Sequence, residues 1–256
     1  MLNVQRQGAP SSLPGLLVVH GLFGSARNWG AIARRLSEDR EVITVDMRNH
    51  GESFWAETHR YADIAQDLAE VIAAVGGPMD VLGHSMGGKA AMVLALQAPE
   101  LVDRLMVADI APVAYGHSQT HLIAAMQALP LAEMTTRAQA DAALSQQVED
   151  ASVRAFLLQS LDLRADPVRW RLNLDVLARE MDQITGWPDV TGIFSGTTLF
   201  LAGGRSDYIQ PKHRPVIRAL FPNARFAKLP EAGHWLHAEA PQAFAETARM
   251  WFSRAP

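Results

Sequence analysis

The residues best suited to chemistry are those at 83–87, which read Gly-His-Ser-Met-Gly. They match the pattern G-x-S-x-G, in which a serine occupies a sharp turn between a strand and a helix. The apolar run Met79–Gly83 precedes the serine, and a helical pattern, Met86–Ala98, follows it. Glycines on both sides leave room for the strained backbone of such a turn. The pattern predicts that Ser85 is a nucleophile for acyl transfer.

A nucleophilic serine requires a base, and His234 is the candidate because it follows the last predicted strand and precedes the final helix. Two aspartates compete for the role of the acid that orients this imidazole. Asp109 ends one predicted strand, and Asp207 lies in the loop after the next. Both satisfy the chain order serine, acid, histidine. The residues alone leave Asp109 and Asp207 as alternatives.

A second backbone motif, His-Gly-Leu-Phe-Gly at residues 20–24, follows the first strong strand. In this position we expect a loop that supplies one N–H group of an oxyanion hole, and the residue after the nucleophile supplies the other. The predicted donors are the main-chain N–H groups of Leu22 and Met86. Phe23 is predicted to line the substrate pocket.

Lys89 lies in the first turn of the predicted helix that follows Ser85, where its cation opposes the positive end of the helix dipole. Such a cation favours a compensating carboxylate. We therefore predict a structural ion pair between Lys89 and an acidic residue, with Asp46 as one candidate.

Short apolar runs bounded by glycine or proline alternate with helical patterns along the chain. This order predicts a doubly wound, mostly parallel sheet with helices on both faces, the α/β fold class. The predicted strands are Leu16–His20, Val42–Asp46, Met79–Gly83, Leu105–Asp109, Thr198–Ala202 and Arg225–Leu229.

The strand signal is absent between residues 111 and 196, where alanine-, leucine- and glutamine-rich helical stretches follow one another. We expect an α/β core made of residues 1–110 and 197–256, with 111–196 inserted as a helical cap, or lid, over the edge of the sheet. The cap offers apolar side chains that line a pocket or pack between helices, and the sequence does not separate the two uses: Met126, Met134, Phe156, Leu157, Trp170 and Trp187.

The composition of the chain narrows the classes of molecule that it is expected to bind. The formal net charge is only −4 and no basic run is present, so nucleic acid and anionic membranes are poor partners and a small molecule is favoured. The chain has no cysteine, which excludes disulfides and metal sites built on cysteine sulfur. The sequence also lacks an HExxH motif, which would indicate a metal site. We expect a cytoplasmic protein without a membrane span, either a monomer or a small homo-oligomer, that needs no cofactor.

Several longer segments extend these motifs, namely HGLFGS, DMRNHGES, GHSMGGKA, ADIAPV, GG-x-S-x-Y and AGHWLHAE-x-P. Together they resemble the α/β-hydrolase superfamily, in particular a subgroup of small bacterial serine esterases and related mitochondrial abhydrolase-domain proteins. The resemblance covers nearly the whole chain and implies the α/β-hydrolase fold with a helical cap. It also implies that the aspartate of the DIAP segment, Asp109, is the acid, although Asp207 is an additional carboxylate at a position where the subgroup has none.

The sequence thus predicts a serine hydrolase that cleaves carboxylic esters or acyl thioesters of short to medium chain through a catalytic triad and an acyl-enzyme. Two alternatives remain open at this level. The same triad serves carbon–carbon bond hydrolysis or cofactor-free perhydrolysis, and a hydrolase-like chain can also be a non-catalytic ligand-binding protein.

Overall fold

The computed structural model describes residues 1–253, which form a seven-stranded main sheet with helices on both faces. Its strands are β1 (Asn3–Gln7), β2 (Leu16–Val19), β3 (Val42–Asp46), β4 (Met79–His84), β5 (Val102–Ala108), β8 (Thr197–Gly203) and β9 (Ala224–Leu229). A separate antiparallel ladder consists of β6 (Leu161–Asp162) and β7 (Arg169–Trp170).

Eleven α-helices lie in the described part of the chain: α1 (Gly30–Leu36), α2 (Tyr61–Val75), α3 (Met86–Gln97), α4 (Thr120–Gln127), α5 (Arg137–Leu144), α6 (Ala151–Leu157), α7 (Leu174–Arg179), α8 (Met181–Thr185), α9 (Arg214–Leu220), α10 (Leu236–Glu239) and α11 (Pro241–Phe252). Short 3₁₀ turns occur at Ala26–Trp29, Pro99–Leu101, Leu131–Glu133, Leu158–Ser160 and Pro211–His213. No helix in residues 1–253 has both the length and the apolar character needed to cross a lipid bilayer.

The main sheet has the strand order β1-β3-β2-β4-β5-β8-β9. Only β1 is antiparallel to its neighbour, and the other strand pairs are parallel. The predicted doubly wound, mostly parallel sheet is confirmed. The sequence did not predict β1, because Asn3–Gln7 reads NVQRQ and lacks the apolar run of a buried strand.

The alternation of side chains along the buried strands builds two cores, one on each face of the sheet. Leu16 and Val18 point into a cluster that contains residues of α1 and α11. Leu17 and Val19 point into the opposite cluster with α2 and α3. Every residue of β2 is buried, which explains why the strand reads as a continuous apolar run.

The direction of chain winding reverses beside β2. From β2 the chain crosses to β3, which lies on one side of β2 in the sheet, and it then returns to β4 on the other side of β2. In open parallel sheets such a switch point leaves a crevice at the carboxyl ends of the two central strands. The loop at residues 20–24 and the turn at Ser85 both begin there.

The segment between β5 and β8 carries α4 to α8 and the β6–β7 ladder. The ladder is a departure from the purely helical pattern expected of residues 111–196, and it is too short, at two residues a strand, to leave a periodic signal. The proposed division into a core and a cap stays a prediction.

Candidate active site

Ser85 occupies a strained turn between β4 and α3, with φ 53° and ψ −121°. The flanking glycines are required by close backbone contacts. A Cβ atom on Gly83 would lie 2.3 Å from the carbonyl oxygen of Gly87, and one on Gly87 would lie 2.4 Å from that of His20. The turn therefore forms only with glycine at both positions, and it projects the serine side chain out of the sheet edge.

A line of hydrogen bonds connects Ser85 to His234 and Asp109. His234 Nε2 lies 3.0 Å from Ser85 Oγ, and His234 Nδ1 donates to Asp109 Oδ2 across 2.8 Å. The carboxylate is fully buried, and its other oxygen accepts from the main-chain N–H of Gly203 at 2.9 Å. Ser206 Oγ also donates to Asp109 Oδ2. The carboxylate is thus fixed by three donors, and it fixes the imidazole in turn.

Asp207 lies away from this line. The residue is exposed, and within residues 1–253 its carboxylate takes part in no hydrogen bond or ion pair. Its main-chain oxygen accepts from Gln210 Nε2 at 2.9 Å. Of the two aspartates that the residues left as alternatives, the structure brings Asp109 to His234.

The loop after β2 and the start of α3 present two main-chain N–H groups without acceptors in the described part of the chain, those of Leu22 and Met86. The next N–H along the loop, from Phe23, donates to His50 Nε2 at 3.2 Å. Phe23 has a φ of 63°, which a bulky residue rarely adopts. The loop is thus held in an unusual conformation that leaves the Leu22 N–H free.

Three buried histidines, His20, His50 and His59, form a row behind this loop, with successive ring centroids 5.2 and 5.3 Å apart. Burial lowers the pKa of His20 and His50, and it lowers the pKa of His59 to about 3. A neutral His50 can accept from Phe23, and His59 Nε2 lies 3.3 Å from the sulfur of Met86. The row therefore contacts both segments that carry the free N–H groups.

Sequence reasoning missed two tyrosines near His234, of which Tyr208 contacts the imidazole directly. The Tyr208 ring stacks on the His234 imidazole at 4.0 Å, and its hydroxyl lies 2.7 Å from His117 Nε2. The Tyr115 hydroxyl donates to the main-chain oxygen of Tyr208 at 2.7 Å. The signal for Tyr208 was the segment GG-x-S-x-Y, which ends at this residue, but a sequence segment does not show which ring the tyrosine stacks on.

A cavity of about 460 Å³ opens at Ser85 and is lined by both halves of the chain. Phe23 lines it, and so do Phe156 and Leu157 from α6. Trp187 does not line this cavity, and neither do Met126, Met134 and Trp170. Trp187 packs half-buried against the hydrophobic core, and the other three are buried within that core.

The predicted ion pair of Lys89 is wrong. Lys89 is 1% exposed, and its ammonium donates to the main-chain oxygens of Thr185 at 2.8 Å and Gly186 at 2.5 Å. Carbonyl oxygens at a helix end carry partial negative charge and replace the expected carboxylate. Asp46 accepts instead from the main-chain N–H of Ala26 at 2.7 Å.

Among residues 1–253, no three side chains of the metal-binding types are grouped as ligands of one ion.

The chain is similar to known proteins along most of its length. The family model described as "alpha/beta hydrolase fold" matches residues 14–241. The chain is 43% identical over 252 residues to sn-1-specific diacylglycerol lipase ABHD11 of Mus musculus, which covers 95% of this chain and 82% of that protein. It is 38% identical over 257 residues to Esterase YbfF of Escherichia coli (strain K12), with 98% and 99% covered. A solved structure, "Marine microorganism esterase", superposes with a TM-score of 0.93 at 34% identity and covers 98% of both chains.

Proposed function

The chain belongs to the α/β-hydrolase family and is a hydrolase, and on that premise we propose that it is a serine esterase acting through an acyl-enzyme on Ser85. Its substrates are carboxylic esters or acyl thioesters of short to medium chain. The single observation that carries the proposal is the hydrogen-bonded line Ser85–His234–Asp109, whose serine and histidine line the cavity of about 460 Å³.

Acylation begins when His234 Nε2 accepts the proton of Ser85 Oγ, to which it is already hydrogen-bonded at 3.0 Å. The oxygen attacks the acyl carbon as the proton leaves, and the imidazole becomes a cation. The buried carboxylate of Asp109 stabilises that cation across 2.8 Å and holds the tautomer whose Nε2 is free to accept. The imidazolium then protonates the leaving alcohol or thiol.

The tetrahedral intermediate carries a negative oxygen, which the N–H groups of Leu22 and Met86 are proposed to bind. Both groups lack acceptors in residues 1–253, so they are available without breaking a bond. Preorganised donors of this kind are worth roughly 3 kcal/mol of barrier each. Water then attacks the acyl-enzyme with His234 as base, and the acid is released. The steps require no cofactor.

The cavity supports an acyl group of limited length. Its volume is about 460 Å³, and α4, α6 and α8 contribute apolar walls, for example Leu122, Phe156 and Ile184. Burying methylene groups against such walls contributes about 0.8 kcal/mol each. The names of the relatives add diacylglycerols to the ester substrates that merit assay.

A fluorophosphonate probe tests the nucleophile. We expect the probe to label the purified protein and to fail with Ser85→Ala, whereas Ser11→Ala, a matched change at an exposed serine, keeps the label. The same proteins are assayed against p-nitrophenyl esters of increasing acyl length, acyl-CoA and N-acetylcysteamine thioesters, and diacylglycerol. We expect Ser85→Ala to lose at least roughly 10⁴-fold in kcat. Labelling that survives in Ser85→Ala, or no turnover of any ester or thioester, would overturn the proposal.

A further inference from the structure

Lys89 stands out because the proposed reaction does not use it and yet it lines the reaction cavity. It lies in the first turn of α3, and its main-chain N–H donates to the main-chain oxygen of Ser85 at 3.0 Å. The lysine is 1% exposed, and in residues 1–253 no carboxylate lies within 4 Å of its ammonium. Burying a cation without a counter-ion costs desolvation free energy, so we expect a function that favours a lysine at this position.

The ammonium has an unused donor. Its three N–H groups have two acceptors in the described part of the chain, the main-chain oxygens of Thr185 and Gly186. The rings of Tyr115 and Tyr61 lie 4.9 and 5.8 Å from Nζ and close off other sides. The remaining N–H is available to a molecule that fills the cavity.

The charged residues that line the cavity differ in burial. Lys89 is buried, as are Tyr61 and Ile110, and it is the one lysine or arginine among the described lining residues. Glu149 and Asp150 are exposed to solvent, which screens their charges. An anionic group beside Lys89 would gain the attraction of a cation that solvent screens much less.

We propose that Lys89 forms a buried anion subsite in the wall of the cavity, which binds a carboxylate at the far end of the acyl group. The preferred substrates are then monoesters or monothioesters of dicarboxylic acids. This inference rests on the proposed esterase function and names its substrate class. A charge-assisted hydrogen bond in a buried site gives such a substrate an advantage of roughly tenfold or more over its neutral analogue.

The test compares pairs of esters that share one alcohol and differ only in a terminal carboxylate. Monoethyl esters of the straight-chain C5 to C8 dicarboxylic acids are set against ethyl esters of the monocarboxylic acids of equal length, and kcat/KM is measured by pH-stat. We expect a preference for at least one dicarboxylate in the parent protein. Lys89→Met should reduce the ratio of the two kcat/KM values roughly tenfold or more, and Lys228→Met, the same change at an exposed lysine, should leave it unchanged.

A second measurement needs no variant. Burial lowers the pKa of Lys89 to about 7, so the preference of the parent protein should decline as the pH rises from 6 to 9. The titratable groups facing Lys89 are Tyr61 and Tyr115, whose pKa values burial raises, and His117 at longer range, whose pKa burial lowers. Both tyrosines stay neutral over this range, and the ratio to the neutral ester removes the pH effects that the two substrates share.

The outcomes separate the two proposals. If neither ester of any pair is hydrolysed and the wider ester and thioester panel fails as well, the esterase function itself is refuted. If the neutral esters are hydrolysed but no dicarboxylate is preferred, or if the ratio is the same in Lys89→Met, the anion subsite is refuted and Lys89 only links α3 to the end of α8.

Discussion

The exchange of Asp109 for asparagine is the sharpest test of the proposed mechanism. Three donors converge on the Asp109 carboxylate: the main-chain N–H of Gly203, the hydroxyl of Ser206 and Nδ1 of His234. An asparagine offers one oxygen in place of two and adds an NH₂ group. Within the fully buried site, that NH₂ group faces one of the donors.

The conflict is relieved if His234 changes its tautomer, so that Nδ1 accepts from the asparagine and Nε2 carries the hydrogen. Nε2 is then unable to accept the proton of Ser85. We expect kcat/KM to fall by a factor on the order of 10² to 10⁴, which corresponds to about 2.7 to 5.4 kcal/mol of barrier. Asp207→Asn makes the same chemical change at an exposed carboxylate and should cost about tenfold or less.

Both variants are assayed on one ester, such as p-nitrophenyl butyrate, and their thermal unfolding is recorded to show that each is folded at the assay temperature. A large loss confined to Asp207→Asn would refute the assignment of Asp109. Comparable losses in both variants would mean that the two carboxylates share the imidazole in solution.

Three further predictions address the pocket, the oxyanion loop and pH. Phe156→Ala enlarges the cavity and should shift the preferred acyl length upwards in a p-nitrophenyl ester series, whereas Trp187→Ala should leave the profile unchanged because Trp187 does not line the cavity. His50→Leu removes the acceptor of the Phe23 N–H and should lower kcat about tenfold or more with a smaller change in KM. His50→Gln can still accept this hydrogen bond and should retain more of the rate. Equal kcat in the parent protein and both variants would refute a role for this bond. Burial lowers the pKa of His237 from 6.5 to about 3, so the unfolded chain binds the proton first as the pH falls below 6.5, and this residue alone should lower the free energy of unfolding by about 2 kcal/mol at pH 5. Chemical denaturation of His237→Phe should show a pH dependence that is smaller by this amount, and an unaltered dependence would contradict the assignment.

Much of the fold was predictable because the main parallel strands are buried on both faces. A run such as Leu16–Val19 then reads as continuously apolar, and the proline and glycine at residues 14 and 15 mark its start. The edge strand β1 lacks this pattern, since only one of its five residues, Val4, is apolar. Its pairing with β3 is made by main-chain groups that every sequence carries.

The site was predictable to the extent that its chemistry requires particular residue types at a turn. Glycines next to Ser85 are demanded by backbone contacts, and so they appear in the sequence. The partner of Lys89 was not predictable, because its acceptors are main-chain oxygens with no side-chain signature. Asp109 and Asp207 both follow strands that end at the same sheet edge, so position alone did not choose between them.

The strained backbone of the site has a consequence for attempts to make this protein more heat-resistant. Among residues 1–253, four residues other than glycine have positive φ, and three of them, Phe23, Ser85 and Asp109, line the cavity or belong to the proposed triad. Each such conformation costs on the order of 1 to 3 kcal/mol, which glycine would largely recover. Ser85 is the position where little side-chain packing opposes this gain, so a library selected for thermal tolerance alone would gather glycine there and lose turnover. Selection for activity has to accompany selection for stability if the variants are to remain enzymes.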